Sequence, residues 1–226
     1  MATVTPFGGK PRVDNSANFD FAKDPHNGVV IQNSATQFVV DYTIPFTMQA
    51  IYGGIGFGGF DADGVPTLGT ITSMSFTTSD LGVRFASFSL PVQTFLDFIA
   101  TNDTAGLLAL IFSSADLLNG VGVDGVNVMN GYGGDDIITG GTGLFSQDVL
   151  NGGAGNDVLR PSSYLYIADA LDGGAGTDTV DFINFQSQLD RPTFLEIDLS
   201  AEHYRDAGPQ IPLQYCSIVG VENVVG

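Results

Sequence analysis

Apolar residues fall on alternate positions from Phe38 to Ile44 and from Ile71 to Phe76, a two-residue period that predicts strands in a separate sheet or sandwich. At Pro91 the period changes. Val92, Phe95, Leu96 and Ile99 recur at helical spacing behind a proline suited to a helix start, and Asp103 is placed to open a second helix through Phe112. Beyond these helices the apolar positions settle into columns 21 residues apart: Met129, Leu150 and Leu171 in one, Ile138, Leu159 and Val180 in another.

The polar positions keep the same period over residues 127–189, with no gap. Gly131, Gly152 and Gly173 share a column, as do Gly134, Gly155 and Gly176, and then Asp136, Asp157 and Asp178. A further column, Asn127, Asp148 and Asp169, precedes the Asp136 column by nine residues, so each row divides into two short strands and two turns. Such a strand, with one inward apolar side chain, is not stable alone. Rows must therefore stack with like columns about 4.8 Å apart, forming a parallel β-roll of 21-residue coils. Asp116 to Gly120 reads as a degraded first coil, and residues 194–199 and 217–226 read as further strands that cap the roll. The expected organisation is a mainly β chain: a β-rich N-terminal domain over 1–112 ending in capping helices (about 91–112), the roll over 113–190, and capping strands over 191–226. The helices are expected to cover the open edge of the roll, which would otherwise invite strand pairing.

Composition narrows the function. The 226 residues carry 25 acidic side chains, 22 of them Asp, against 7 Lys and Arg, for a net charge of −18. Nucleic acid is excluded as a partner, because a phosphate backbone needs cationic side chains to displace its counterions. Disorder is excluded too, since 43% of residues are hydrophobic, 17 are Phe and mean hydropathy is +0.20. Cys216 is the single cysteine, so no intrachain disulfide can form and a bound metal is the expected staple. No basic leader with a cleavage site is visible from Met1 to Val30, and the longest apolar stretch, Leu107 to Phe112, is too short to span a bilayer.

Half of the charge sits in the repeat. Between Ser113 and Asp181 there are ten Asp and one base, Arg160, which leaves −9. Stacked carboxylates at strand spacing repel by roughly 1 to 4 kcal/mol per pair at water-like or surface dielectric. A cation is required. Asp oxygens and turn carbonyls are hard donors, and no His or Cys lies in the repeat, which selects calcium over zinc or copper.

Gly152-Gly-Ala-Gly-Asn-Asp-Val-Leu-Arg160 and Gly173-Gly-Ala-Gly-Thr-Asp-Thr-Val-Asp181 resemble the nonapeptide of the repeats-in-toxin (RTX), hemolysin-type calcium-binding family. Residues 131–139 form a looser copy with Tyr132 in place of the second glycine, and residues 60–72 resemble a segment that commonly precedes such repeats in secreted bacterial proteins. The resemblance implies that the first six residues of each copy form a calcium turn and the next three a strand. Carried over by position, it implies carboxylate ligands at Asp136, Asp157 and Asp178. Carbonyls near Gly131, Gly133, Gly152, Ala154, Gly173 and Ala175 would complete the shell, and Asp135, Gly153, Asn156 and Gly174 are further candidates in the same turns. The family repeats every 18 residues, whereas the halves here are 9 and 12, so the two edges differ. The regular edge is expected to hold about two calcium ions in the gaps between its turns. On the other edge Asp148 and Asp169 either bind calcium or remain hydrogen-bonded or solvated.

Asp61 to Gly64 reads as a hairpin turn, with an added calcium site as the alternative. Gly54 to Gly59 matches a dinucleotide-binding glycine pattern by letter only, because a turn and a proline follow it in place of a helix. His26 and His203 are far apart, no nucleophile elbow or phosphate loop is present, and Cys216 lies in an apolar stretch, so no enzyme is expected. The expectation is a secreted, extracellular or cell-surface calcium-binding protein. The resemblance implies type I export, with a signal toward the C-terminus and folding on calcium outside the cell. Its role would be structural, surface-layer, matrix or adhesive, by self-assembly. The alternative is a carbohydrate-binding or export-and-folding module of a secreted enzyme or toxin, with surface glycans as partners.

Overall fold

The structure is a computed structural model that describes residues 1–6, 24–42, 48–78, 82–120, 125–143, 146–162, 168–183, 195–206 and 216–225. The alternating stretches become strands, and the chain is mainly β. Strand β1 (Thr3–Pro6) is followed by a short 3-10 helix (Pro25–Asn27). The next five strands are β2 (Val29–Asn33), β3 (Gln37–Tyr42), β4 (Met48–Gly58), β5 (Leu68–Thr77) and β6 (Gly82–Pro91). These last five pair in sequence as an antiparallel meander. The glycines of 54–58 lie within β4, and Asp61 to Gly64 make the β4–β5 turn, where Gly64 takes φ 81° and donates its N–H to the Asp61 carbonyl at 3.1 Å.

Helices α1 (Val92–Thr101) and α2 (Thr104–Ile111) follow at once. Asn102 ends α1 in the left-handed region, and the Asp103 carboxylate caps α2 by accepting the Gly106 N–H at 2.8 Å. Both helices pack on the meander, α1 against β5 and β6 and α2 against β6, while the strand that pairs with β7 at the start of the repeat is β1.

The repeat supplies β7 (Leu117–Asn119), β8 (Val126–Asn130), β9 (Ile137–Thr139), β10 (Gln147–Ala154), β11 (Val158–Arg160), β12 (Ala170–Ala175) and β13 (Thr179–Asp181). After it come β14 (Leu195–Asp198), β15 (His203–Asp206), β16 (Cys216–Val219) and β17 (Asn223–Val225). Strands β7, β9, β11, β13 and β17 form one parallel ladder, and β8, β10, β12 and β16 form another. The register follows the 21-residue columns, with Val158 opposite Ile137 and Thr179, and Val149 opposite Val128 and Ala170. Met129, Leu150, Leu171 and Ile218 of one ladder and Leu118, Ile138, Leu159 and Val180 of the other are all buried and belong to one core cluster. An antiparallel hairpin, β14 and β15, completes the second sheet.

The first half does not form a separate sheet. Strand β1 lies between β6, antiparallel, and β7, parallel, so the meander and one ladder become a single eleven-stranded sheet. Two observations show why the halves join. Val4 and Ala2 are fully buried in a core shared by both halves. A chain of ring contacts also runs from Phe57 through Phe38, Tyr52, Phe76, Phe85 and Phe112 to Tyr132 in the first repeat turn, its members 4.3 to 6.1 Å apart.

Candidate metal centre

Each turn on the regular edge is bent by residues with positive φ. Gly153, Gly155, Gly174 and Gly176 have φ between 93° and 151°, which side chains resist. In the looser copy Tyr132 stands in the Gly153 column and still takes φ 67°, at a cost of about 1 to 2 kcal/mol. Its ring stacks on Phe112 at 6.0 Å, and the Phe112 carbonyl accepts the Gly133 N–H at 3.1 Å, so the first turn is held by the chain leaving α2.

Bending the chain this way turns Asp136, Asp157 and Asp178 inward, where each is at most 1% exposed. One oxygen of each is used by the backbone. Asp136 Oδ1 accepts the Asp116 N–H at 2.7 Å, Asp157 Oδ1 the Asp136 N–H at 2.8 Å, and Asp178 Oδ1 the Asp157 N–H at 2.8 Å. Two residues missing from the expected site extend this row. Asp116 begins it, 2% exposed, with the Ala2 N–H on its Oδ1, and Glu222 ends it by accepting the Asp178 N–H at 2.8 Å. Asp116 is 20 residues before Asp136, one short of the period, and Glu222 is 44 after Asp178, which is why column matching passes over both.

The other oxygens differ. Oδ2 of Asp116, Asp136, Asp157 and Asp178 is buried and accepts no hydrogen bond. Such an atom carries its full desolvation cost. Burial pushes the Asp136 carboxyl up to about 8, with the charges of Asp157, Asp116 and Asp135 adding. Burial likewise lifts Asp157 to about 6, with Asp178 and Asp135 adding, and raises Asp116 and Asp178.

The glycine column lies against these oxygens. A Cβ built on Gly131 collides with Asp136 Oδ2 and the Gly152 carbonyl oxygen. One on Gly152 meets Asp157 Oδ2 and the Gly173 oxygen, and one on Gly173 meets Asp178 Oδ2 and the Gly220 oxygen. The orphaned oxygens of Asp136, Asp157 and Asp178 thus each share a glycine's empty side-chain space with a carbonyl oxygen of the next turn, reachable only because no side chain intervenes. This donor set is all oxygen, anionic and repeated, and it fits a hard divalent ion such as calcium.

Other candidates are used differently. Ala154 and Ala175 carbonyls accept the N–H groups of Gly134 and Gly155 at 2.7 and 2.8 Å, which leaves each oxygen one lone pair. Gly133 and Gly153 form backbone links between adjacent turns, Gly133 bridging to Ala154 and Gly153 pairing with Gly174. Asp135 and Asn156 are exposed: Asp135 Oδ1 accepts the Asn156 N–H at 2.7 Å, and Asn156 Oδ1 accepts the Thr177 N–H at 2.9 Å. Their side chains tie neighbouring turns from outside and do not face the orphaned oxygens.

On the opposite edge the structure carries the hydrogen-bonded alternative. Asp148 accepts from Asn127 Nδ2 at 2.7 Å, Ser146 Oγ at 3.0 Å and the Gly141 N–H at 2.8 Å. Asp169 accepts the Asp148 N–H at 2.9 Å, the Ser162 Oγ–H at 2.7 Å and N–H at 3.2 Å, and the Tyr204 hydroxyl at 3.4 Å. Both are buried with donors on both oxygens. Residues 144, 145 and 163–167 on this edge lie outside the described residues.

Cys216 is fully buried, and burial pushes its thiol up to about 11, which suits a core residue and not a nucleophile. Among the described residues no helix is long and apolar enough to cross a membrane. Compared with protein-family models and with curated proteins, the chain has no significant match.

Proposed function

We propose that this protein binds calcium along the row of carboxylates from Asp116 to Asp178 and folds its repeat as an RTX-type β-roll when it does so. The observation that carries this reading is the set of four buried Oδ2 atoms without partners, three of which, on Asp136, Asp157 and Asp178, lie by a glycine carbonyl oxygen. Before calcium arrives, four like charges at strand spacing oppose closure. At about 1 mM calcium a site with a dissociation constant near 10⁻⁴ M adds roughly 1.4 kcal/mol. Folding is thereby confined to calcium-rich surroundings, which accords with secretion before folding and with an extracellular structural or adhesive role. Self-assembly has support at β2, the outer strand of the sheet among the described residues, where Val29 and Ile31 are 63% and 54% exposed, since such an edge is a template for a further strand.

Circular dichroism during titration of the EDTA-treated protein with calcium tests the reading. The expected result is a cooperative gain of β signal, shifted to higher calcium by Asp157→Ala and not reproduced by equal magnesium. Identical titrations of the two proteins would remove Asp157 from the site. Size-exclusion chromatography and electron microscopy with calcium or chelator test assembly, and a strict monomer in both would end that part of the proposal.

A carbohydrate-binding reading rests on one feature, a cleft of about 530 Å³ whose lining includes Phe88 and the hydroxyl-bearing Ser87, Ser89, Thr94, Ser113 and Ser114 beside apolar residues such as Leu110. Glycan-array binding that Phe88→Ala abolishes would support it, and an empty array would dismiss it.

A further inference from the structure

Apart from the carboxylate row, His26 lies between two acids. Asp24 caps the 3-10 helix by accepting the His26 N–H at 3.0 Å, and the same Oδ1 lies 2.6 Å from His26 Nδ1. The other ring nitrogen, Nε2, is 2.8 Å from Asp61 Oδ2. Asp61 is held in turn: its Oδ1 accepts the Asp63 N–H at 3.0 Å and the Val65 N–H at 2.9 Å, which points Oδ2 across to the imidazole. Asp63 brings a third carboxylate, and one ligand atom from each of His26, Asp61 and Asp63 lies within 4.8 Å of the others.

A neutral imidazole has one N–H and one lone pair. Asp24 takes the N–H at Nδ1, so Nε2 presents its lone pair to the Asp61 carboxylate unless a second proton or a cation stands between them. The proton is one solution: the hydrogen bond to Asp61, with that to Asp24 and the charges of both acids adding, holds the imidazolium above the usual histidine range against desolvation. A metal ion is the other. A histidine whose far nitrogen is fixed by a carboxylate while the near one converges with two more is the arrangement that orients and strengthens a metal ligand.

We propose that His26 Nε2, Asp61 and Asp63 form a site for a divalent transition ion of the zinc class, with Asp24 orienting the ring. The imidazole separates this site from the all-oxygen row, because nitrogen donors favour zinc-class ions over calcium. Metal–ligand bonds of about 2.0 to 2.2 Å in a tetrahedral site set ligand atoms about 3.3 to 3.6 Å apart, so the side chains, now within 4.8 Å, close in by up to about 1.5 Å, and water takes the fourth position. The ion would tie the segment before β2 to the β4–β5 turn. The contact of Asn33 Nδ2 with the Gly64 carbonyl at 3.3 Å already links β2 itself to that turn. Bound metal would thus staple the exposed outer strand of the eleven-stranded sheet.

The test uses the full chain in excess calcium, so that the carboxylate row is filled, titrated with Co²⁺ and then Zn²⁺. Cobalt visible absorption and the NMR shifts of the His26 ring are the readouts. The expected result is one ion per chain that shifts the His26 ring. His26→Gln should weaken it at least tenfold, Asp24→Asn should weaken it roughly ten- to hundredfold, and His203→Gln should leave it unchanged. Because His26 is exposed, its replacement is expected to leave the fold intact, which far-ultraviolet circular dichroism checks. Equal binding by wild type and His26→Gln, an unmoved His26 ring, or no binding of cobalt or zinc in the excess calcium would each overturn the proposal.

Discussion

Asp157 is a middle rung whose two oxygens have opposite surroundings, and Asp157→Asn separates them. Its Oδ1 accepts the Asp136 N–H at 2.8 Å, while its Oδ2 is buried without a partner beside the Gly173 carbonyl. The asparagine variant keeps the first contact and puts an N–H₂ where the orphaned oxygen was, able to donate to that carbonyl. Leaving a buried polar group unsatisfied costs about 1 to 3 kcal/mol. In EDTA the variant should therefore be more stable than wild type by up to that amount, at about 2 to 4 °C in melting temperature per kcal/mol for a chain of this size. In calcium that advantage shrinks. The anionic ligand is gone, and loss of one site of about 10⁻⁴ M affinity removes roughly 1.4 kcal/mol at about 1 mM calcium. Asp157→Ala, which removes the Oδ1 acceptor and leaves the Asp136 N–H buried without a partner, should fall below wild type in both conditions. Thermal melts followed by circular dichroism, with EDTA and with calcium, give the four comparisons. An asparagine variant less stable than wild type in EDTA, or one that gains as much from calcium, would refute the reasoning.

Other perturbations separate the remaining parts of the site. In EDTA, burial holds Asp136 and Asp157 up to about 8 and about 6, above the ordinary value of 3.8. The stability due to their protonated forms is complete below about pH 4 and is lost as pH rises through those two values, so urea midpoints in EDTA should be higher at about pH 5 than at about pH 8.5. A flat profile would contradict the burial of these groups. With calcium the acid advantage should shrink, because protons and calcium compete for the same oxygens. Gly152→Ala should abolish the calcium-dependent gain at its turn, since the added methyl collides with Asp157 Oδ2; an unchanged calcium titration would mean the turn relaxes freely. Asp169→Asn sets an amide against the Ser162 donors and should cost about 1 to 3 kcal/mol equally with calcium and with EDTA. A calcium-selective loss in that variant would restore the second edge as a metal site.

The repeat was legible because stacking makes the sequence period a spatial period. Residues 21 apart become neighbours, as Ile137, Val158 and Thr179 do, so one apolar column is one row of core and one Asp column is one row of charge. The helices were legible for a similar local reason, since Asn102 and Asp103 can end one and cap the next using atoms within a few residues. The divided edges were legible as a difference in half-period. Which edge keeps its carboxylates without donors was not, because the hydroxyls of Ser146, Ser162 and Tyr204 reach Asp148 and Asp169 from outside the column pattern.

Sequence alone thus determined the coil, its strands, its turns and the carboxylate column, because each depends on contacts that recur at one spacing. Tertiary structure decided the rest. Strand β1 enters between β6 and β7, placing the Ala2 N–H on Asp116, 114 residues away. Glu222 arrives at the other end of the row, and His26 meets Asp61 across 35 residues of chain. Such pairings occur once each, so they leave no period to read. They are selected by burial and donor matching over the whole molecule, which come into being only when the distant segments are in place.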